Sequence, residues 1–466
     1  MLYKDVKDLI EETKGAIRIT PEGVRLEDKA KVKARLIDEL VYNLCLNESD
    51  EIKELSLWII WELAGELEIY PSSIQGLYEA RGKERYNGIT VPAVNIRGLT
   101  YDVARALLRS AMKLKSLTFI FELAKSEIGY TLQRPAEYVG ICLGAAISEG
   151  FSGPLFIMGD HFQLKAKSYQ QDADKEVESL KRLISEAVSA GFYNIDIDSS
   201  TLVDLNQDTV DKQQHENYDV AAKLTAFIRK IQPEGVTISV GGEIGEVGGK
   251  NTTPEEFSAF MQGLRRQLDK YGKGLQGISK ISIQTGTAHG GVVLPDGSIA
   301  EVSLDFGTLR TISQIARQEY ALSGAVQHGA STLPDDAFDH FPQTQTAEVH
   351  LATGFQNIIY ESKHLPKDLR EKIYRWLGEN CAADRKEGMS EEQFIYKTRK
   401  KGFGPHKKEL MDLPPDVRGA IAQEVEEKFV FLFRKLNAVD TQELVNRYVK
   451  PHRIKRPAPE TLLKSL

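Results

Sequence analysis

The chain has few cysteines, no long apolar run and no excess of basic residues. Its 3 cysteines lie far apart and form neither a Cys-x-x-Cys pair nor a disulfide framework, so we expect reduced thiols in the core at Cys45, Cys142 and Cys381. No apolar run reaches the ~18 residues of a membrane span, and the charged start "MLYKDVKDLIEETKG" is unlike a secretory signal. We therefore expect a cytoplasmic protein that does not enter a membrane.

The charge balance excludes an electrostatic footprint for nucleic acid. The 67 acidic residues outnumber the 60 basic ones, giving a net charge of -7 and an isoelectric point near 5.9. A small-molecule ligand is the expected partner. With 41% hydrophobic residues the chain can bury a large core, and 466 residues exceed one ordinary domain unless that domain is a barrel with additions.

The character of the sequence changes twice along the chain. Residues 1–88 carry amphipathic runs such as "IKELSLWIIWELAGEL", which predict a helical N-terminal extension. Residues 362–466 are helical and highly charged, and predict a C-terminal extension. Helical additions at both ends favour a homo-oligomer.

Between these extensions, residues 89–361 alternate short β-rich runs with amphipathic helical runs. The eight β-rich runs are "TVPAVNI", "SLTFIFEL", "GPLFIMGDH", "YNIDIDS", "VTISVGGEIG", "KISIQTG", "GAVQHG" and "AEVHLATG". Eight βα units predict an α/β fold, a (β/α)8 TIM barrel, more economically than an open doubly wound sheet, although periodicity alone is compatible with both.

Polar residues fall at the carboxyl ends of the predicted strands, where the chemistry of this fold is located. Asp160 and His161 end the third strand in "FIMGDHF", where an isolated Asp could equally cap the next segment. Each histidine alone would more often be structural. Three imidazoles and a carboxylate on one rim are together the ligand set of a borderline divalent cation, zinc first and manganese or cobalt as alternatives: His161, Glu243, His289 and His328.

The same segments resemble the class II, metal-dependent ketose-bisphosphate aldolases. The resemblance covers roughly residues 90–360 through "VPAVNI", "GDHF", "IDIDSS", "GGEIGEVGG", "AHGG" and "QHGAST", in matching order and spacing. It implies that the three histidines hold a catalytic zinc, that Glu243 is an accessory ligand, and that Asp160 is the acid/base beside the C4 hydroxyl. It also supplies candidate substrate- or phosphate-binding residues: Asn95, Asp198, Gly290, Gly329, Ser331, His350 and Thr353.

Several positions depart from the family pattern. The acidic pair expected after the double glycine is replaced by Lys250 and Asn251, and Glu246 is the candidate substitute, unless it is only a solvated loop carboxylate. The glycine-rich phosphate turn reads Gly-Ala-Ser-Thr from Gly329, and no lysine follows "AHG". Side chains in such a turn reduce access to its backbone N–H groups, which questions a phosphate on C1.

Three functions therefore remain open. The first is an aldolase that cleaves and condenses a ketose phosphate or bisphosphate, such as fructose or tagatose bisphosphate. The second is a C4-epimerase of ketoses, ketose phosphates or keturonates, because the segment from "QHGAS" to "LREKIYRWLGENCAADRK" is weakly similar to hexuronate (tagaturonate) C4-epimerases. The third is a non-catalytic aldolase subunit, which need not retain all three histidines.

The basic stretch "YKTRKKGFGPHKKEL", residues 396–410, has two interpretations. It is either a solvated charged loop or an anion-binding lid. As a lid, it would bring Arg399, Lys400, Lys401 or His406 to the site, from the same subunit or a neighbouring one.

Overall fold

The computed structural model describes residues 1–245, 250–286, 294 and 304–465. Within these residues the chain forms one two-stranded and one nine-stranded sheet. The strands are β1 Ile17–Thr20, β2 Gly23–Leu26, β3 Ile69–Ser72, β4 Val91–Asn95, β5 Ile120–Ala124, β6 Gly153–Gln163, β7 Asn194–Asp198, β8 Ser239–Glu243, β9 Lys280–Ser282, β10 Ala325–Gln327 and β11 Glu348–Leu351.

Strands β4 to β11 close into a parallel barrel. Each pairs with the next along the chain, and β11 pairs with β4, with Glu348 opposite Val91. The long strand β6 pairs with β3 through its first part and with β5 and β7 through its last part. The closed pairing confirms the predicted (β/α)8 barrel and excludes the open doubly wound sheet.

The barrel strands are apolar because they are covered on both faces. Every residue of β4, β5 and β7 is buried, either in the barrel interior or under the surrounding helices. Each of the eight predicted β-rich runs overlaps one barrel strand. Their carboxyl ends consequently meet at one rim.

Helices surround the barrel and form most of both extensions. The α-helices span Val6–Thr13, Lys29–Lys31, Ile37–Leu46, Asp50–Glu66, Gln75–Gly82, Thr100–Lys113, Lys125–Thr131, Pro135–Glu149, Ala166–Gln171, Ala173–Ala190, Val210–Gln213, His215–Ile231, Pro254–Tyr271, Phe306–Tyr320, His340–Gln343, Thr353–Glu361, Lys367–Asn380, Glu391–Thr398, Lys407–Met411, Pro415–Lys435, Gln442–Tyr448 and Glu460–Leu463. A π-helix spans Val32–Leu36, and 3-10 helices span Ser200–Leu202, Ala330–Thr332, Asp335–Asp339, Ala382–Asp384 and Arg399–Gly402.

Local sequence sets where the barrel helices begin and end. Helix Pro254–Tyr271 begins with a capping box in which Thr253 and Glu256 satisfy each other's backbone N–H groups. Helix Ala173–Ala190 ends at Gly191, whose φ of 111° suits glycine. Such local sequences begin and end each helix, so that the chain can turn back and enter the next strand.

The N-terminal extension contains strands as well as the predicted helices. β1 and β2 form an antiparallel hairpin, and β3 extends the barrel sheet at β6. The boundaries at residues 88 and 361 stay predictions. The 3 cysteines are free and buried. No helix in the described part of the chain has the length and apolar character needed to cross a membrane.

Candidate active site

A cavity of about 800 Å³ opens where the barrel strands end. Its wall includes Asn95 from β4, Asp160 and His161 from β6, and His328 just after β10. Residues predicted from separate strand ends are therefore neighbours in the structure. Asp160 and His328 are buried, whereas His161 is partly exposed.

A distortion of β6 presents His161 to the cavity. The pairing with β7 shifts register between Gly159 and Phe162, and His161 has a φ of 42°. A non-glycine residue in this left-handed region costs about 1–3 kcal/mol, which surrounding contacts must offset. Its Nδ1 lies 3.2 Å from Asp198 Oδ2 and 3.2 Å from Glu243 Oε2.

Three imidazole rings form a row in the barrel. The ring of His328 lies 4.2 Å from that of His161 and 4.1 Å from that of His350, between ring centres. The Nε2 of His328 is 3.0 Å from the Ser282 hydroxyl on β9. Thus β6, β10 and β11 each place one histidine in the same small volume.

Four groups of side chains in the described residues have the donor atoms of a cation site, and two of these groups include His161. One atom each from Asp160, His161 and His328 lie within 4.8 Å of one another, and so do atoms from His161, Asp198 and Glu243. Imidazole nitrogens with carboxylate oxygens suit zinc and related borderline cations. These two groups share His161.

The charges in this cluster perturb one another. Burial alone would raise the pKa of the Asp160 carboxyl, but attraction by His161 and His350 holds it well below its usual value. Burial would lower the pKa of His161, but Asp160 and Glu243 raise it well above its usual value. Burial, reinforced by Asp198, raises the pKa of Glu243 to about 7. Asp160 is therefore ionised at neutral pH.

Beneath the cluster lies a buried network of charges that the sequence did not reveal. His350 Nδ1 is 2.8 Å from Glu122 and 3.3 Å from Asp160, and its Nε2 is 2.6 Å from Glu348. The Lys280 ammonium contacts Glu348 and lies 2.8 Å from Asp196. The available signal was a charged residue inside an apolar run, as with Glu122 in "FIFEL" and Asp196 in "NIDID".

A second network lies at the mouth of the cavity and includes Asn95, which sequence analysis assigned to the substrate. The amide of Asn95 donates to Glu127. Arg97 lies 2.7 Å from Glu127 and donates to Gln356 at 2.8 Å. Arg97, Glu127 and Gln356 were not predicted, because these contacts join distant parts of the chain.

The predicted phosphate turn is shaped by its backbone. Gly329 has a φ of 70°, and Ala330–Thr332 forms a 3-10 helix. The Ser331 hydroxyl accepts a hydrogen bond from the Ala352 N–H at 2.7 Å, just before helix Thr353–Glu361. Gly329, Ser331 and Thr353 all line the cavity.

The remaining predicted positions divide into two sets. Glu246, His289 and Gly290 lie outside the described residues. Asn251, at the family's acidic position, donates to Asp305 Oδ2 at 2.8 Å. Lys250 is exposed.

The basic stretch lies over the cavity only in part. Tyr396, Lys397 and Lys400 line the cavity, all from the same chain. Arg399 is 2.9 Å from Glu361, and Lys401 is 2.6 Å from Asp384. Of the four residues proposed for a lid, only Lys400 lines the cavity in the described part of the chain, and His406 is buried against the Gly402 carbonyl.

Comparison with known families gives a match over most of the chain. The model of the family described as "Fructose-bisphosphate aldolase class-II" matches residues 78–432. This range includes the whole barrel and every candidate site residue. No curated protein sequence matches the chain.

The chain is similar to several solved structures at low sequence identity, and one of them has a TM-score above 0.5. The chain is similar to a probable tagatose 6 phosphate kinase from Sinorhizobium meliloti 1021, with 16% identity, a TM-score of 0.53, and coverage of 81% of this chain and 97% of the other. It is also similar to the YdjI aldolase from Escherichia coli K12, with 13% identity, a TM-score of 0.48, and coverage of 79% and 98%. A third similar structure is fructose-bisphosphate aldolase from Campylobacter jejuni, with 16% identity, a TM-score of 0.45, and coverage of 79% of this chain and 97% of the other.

Proposed function

Because the chain belongs to the family of class II fructose-bisphosphate aldolases, we propose that it cleaves and re-forms the C3–C4 bond of a ketose phosphate or bisphosphate, such as fructose or tagatose bisphosphate. The reaction depends on a divalent cation. The observation that carries the proposal is the convergence of Asp160, His161 and His328, whose ligand atoms lie within 4.8 Å of one another.

The proposed cation ligands are His161, His289 and His328, with Glu243 as an accessory ligand. The described ones fit such an ion, since nitrogen and carboxylate donors meet at a partly buried rim. Zinc is the first candidate, with manganese or cobalt as alternatives. The bound cation supplies electrostatic stabilisation of the negative charge that develops on the ketose oxygens.

Asp160 is proposed to carry the proton of the C4 hydroxyl. Its carboxylate lines the cavity and is ionised at neutral pH, so an oxygen lone pair is present to accept a proton as the C3–C4 bond breaks. His350 is 3.3 Å away and holds the carboxylate in place. In condensation Asp160 returns the same proton. Glu246 is proposed as the second proton carrier, because the Asn251 amide does not titrate.

Phosphate binding is proposed at the rim between β10 and β11. The Ser331 and Thr353 hydroxyls and the turn at Gly329 line the cavity there, and helix Thr353–Glu361 begins at this point. N–H groups in the first turn of a helix favour an anion. Asn95, Asp198, Gly290 and His350 remain proposed contacts to the sugar.

A second candidate function is a metal-dependent C4-epimerase. It is favoured by the altered phosphate turn, where Ala330 replaces a glycine and the Ser331 hydroxyl is engaged by the Ala352 N–H. An epimerase would use the same Asp160, but the aldehyde fragment would rotate and re-add instead of leaving. Such a reaction does not need two phosphate sites.

Product analysis by NMR tests both functions. The metal-loaded protein is incubated separately with fructose 1,6-bisphosphate, fructose 6-phosphate, fructose and tagaturonate. Triose phosphates from the bisphosphate are the expected result. A C4 epimer without free trioses would replace the aldolase by the epimerase, and unchanged substrates in all four incubations would overturn both.

A further inference from the structure

We propose that Lys397 and Lys400 of the C-terminal extension form a subsite for an anionic group of the substrate, a phosphate or a carboxylate, on the solvent side of the cavity. The proposal rests on the proposed function in taking the ligand to be an anionic sugar. The subsite would be separate from the turn at Ser331 and Thr353.

One face of the extension is directed at the cavity. Gln393, Tyr396, Lys397 and Lys400 line it, at intervals of three and four residues that place side chains on the same side of a helix. A neighbouring face of the same helix is anchored by Phe394, which is 0% exposed. This packing holds Lys397 and Lys400 beside the cavity of their own chain, so a neighbouring subunit is not needed to position them.

The ion pairs along residues 396–410 single out the same two lysines. Arg399 pairs with Glu361, Lys401 with Asp384, Lys407 with Glu137 and Lys408 with Asp412. Among the described residues, no carboxylate oxygen lies within ion-pair distance of Lys397 or Lys400, although Glu127 and Asp384 attract Lys400 from farther away. These two lysines are also the only two basic residues of this stretch that line the cavity, as far as the chain is described.

The surroundings of Lys400 favour a bound anion. Its ammonium is half-buried and lies 5.6 Å from the centre of the Tyr130 ring. Burial, with repulsion from Arg97, lowers its pKa. The nearby Arg97 does not need another anion because Glu127 already pairs with it at 2.7 Å. An ammonium removed from water without a counter-ion is unfavourable, and an anion in the cavity would offset that cost.

Other cations extend the positive region around the cavity wall. Lys125 and the exposed Lys165 also line it, reached from the ends of β5 and β6. Three acids line the cavity: Glu122 and Asp160 are buried deeper among the histidines, and Glu127 at the mouth is paired with Arg97. The cavity is thus acidic at its base and basic on its solvent side, as a sugar with a terminal oxyanion would require.

Calorimetric titration of the whole protein with inorganic phosphate and, separately, with acetate tests the subsite. We expect the wild type to bind at least one of them, and Lys397→Gln/Lys400→Gln to weaken that binding at least ~10-fold, because the anion would lose its charge-assisted hydrogen bonds to both ammonium groups. Lys408→Gln on the same segment, outside the cavity wall, is the matched control and should bind as the wild type does. Lys400→Arg should retain most of the affinity.

The outcomes separate the subsite from the proposed function. Preference for phosphate or for acetate identifies the anion. Equal binding by the double variant and the wild type, or binding of neither probe by the wild type, would overturn the subsite even if trioses are released. Lysine-dependent anion binding without any triose release would keep the subsite and reject the aldolase.

Discussion

At the scale of single residues, Asp160 combines burial, an ionised carboxylate and a place beside the candidate cation ligands. We predict that Asp160→Asn retains the cation and lowers kcat by several orders of magnitude, since the amide keeps the shape of the side chain but cannot accept the proton. Elemental analysis and triose release are measured on the same sample. If Asp160→Asn were active, another group would have to accept the proton of the C4 hydroxyl.

Sequence analysis selected site candidates where a polar side chain ends an apolar strand. His161 and His328 were found this way, and the structure brings them together. Glu122 and Lys280 were missed because a charge within an apolar strand says nothing about which distant strand supplies its partner. Asn95 was assigned to the substrate, yet its amide donates to Glu127.

At the scale of elements, Lys280 ties three strands of the barrel together. It joins β9 to Asp196 on β7 and Glu348 on β11, with all three side chains buried. We predict that Lys280→Met lowers the free energy of unfolding by about 3–5 kcal/mol, because two carboxylates lose their buried counter-charge. Denaturant unfolding measures this loss.

The matched control for this substitution is Lys212→Met. Lys212 pairs with Asp208 at 2.9 Å, but both side chains are largely exposed, so the change should leave stability nearly unchanged. If both variants lost the same stability, the buried network would have no special role in holding the strands.

Helix Pro135–Glu149 meets the C-terminal extension at Glu137, 2.6 Å from Lys407. Burial raises the pKa of Glu137 to about 7, and the positive charge of Lys407 opposes this rise. The contribution of Glu137 to the free energy of unfolding is therefore fully present below its pKa in the unfolded chain, ~4.3, and is lost as pH rises through about 7. We predict that the stability of the wild type relative to Glu137→Gln falls by roughly 1–3 kcal/mol from about pH 5 to about pH 8.

Denaturant unfolding at both pH values checks this prediction. The exposed Glu54→Gln serves as the control, and its stability should follow that of the wild type across the range. A difference between wild type and Glu137→Gln that stays constant or grows with pH would show that Glu137 does not hold its proton in the folded state.

Element-level prediction from sequence located each barrel strand, because a strand covered on both faces is a short apolar run. The hairpin β1–β2 was missed, since its residues show no such run. The bulge that gives His161 its φ of 42° was also beyond prediction, because the pairing with β7 that defines it is non-local.

At the scale of the whole molecule, the two extensions contact each other. The Trp61 indole N–H donates to the Ile454 carbonyl at 2.7 Å, and the Arg456 guanidinium lies 3.5 Å from the Trp61 ring centre. We predict that Arg456→Ala lowers the free energy of unfolding by about 1–3 kcal/mol, through loss of this cation–π contact and of hydrogen bonds to the Ser189 and Ala190 carbonyls.

Chemical unfolding followed by tryptophan fluorescence measures the effect. The neighbouring, exposed Lys455→Ala should leave the transition unchanged. If Arg456→Ala were as stable as the wild type, the contact between the C-terminal segment and Trp61 would not contribute to the stability of the protein.

The eight βα units predicted the barrel and its active rim, because alternating short strands and amphipathic helices have few economical arrangements. Sequence analysis left open whether the basic stretch reaches the site, and its candidates included Lys400 but not Tyr396 or Lys397, which also line the cavity. Their position depends on how a charged segment packs after the barrel has closed, which its own composition does not determine.

The most direct test of the account is to measure bound metal and triose release together in His328→Ala, with the exposed His215→Ala as control. The account predicts that His328→Ala loses both while His215→Ala keeps both, because removing an imidazole removes a cation ligand. His289→Ala is expected to behave like His328→Ala. Full metal content and full cleavage rate in His328→Ala would contradict the proposed cation site.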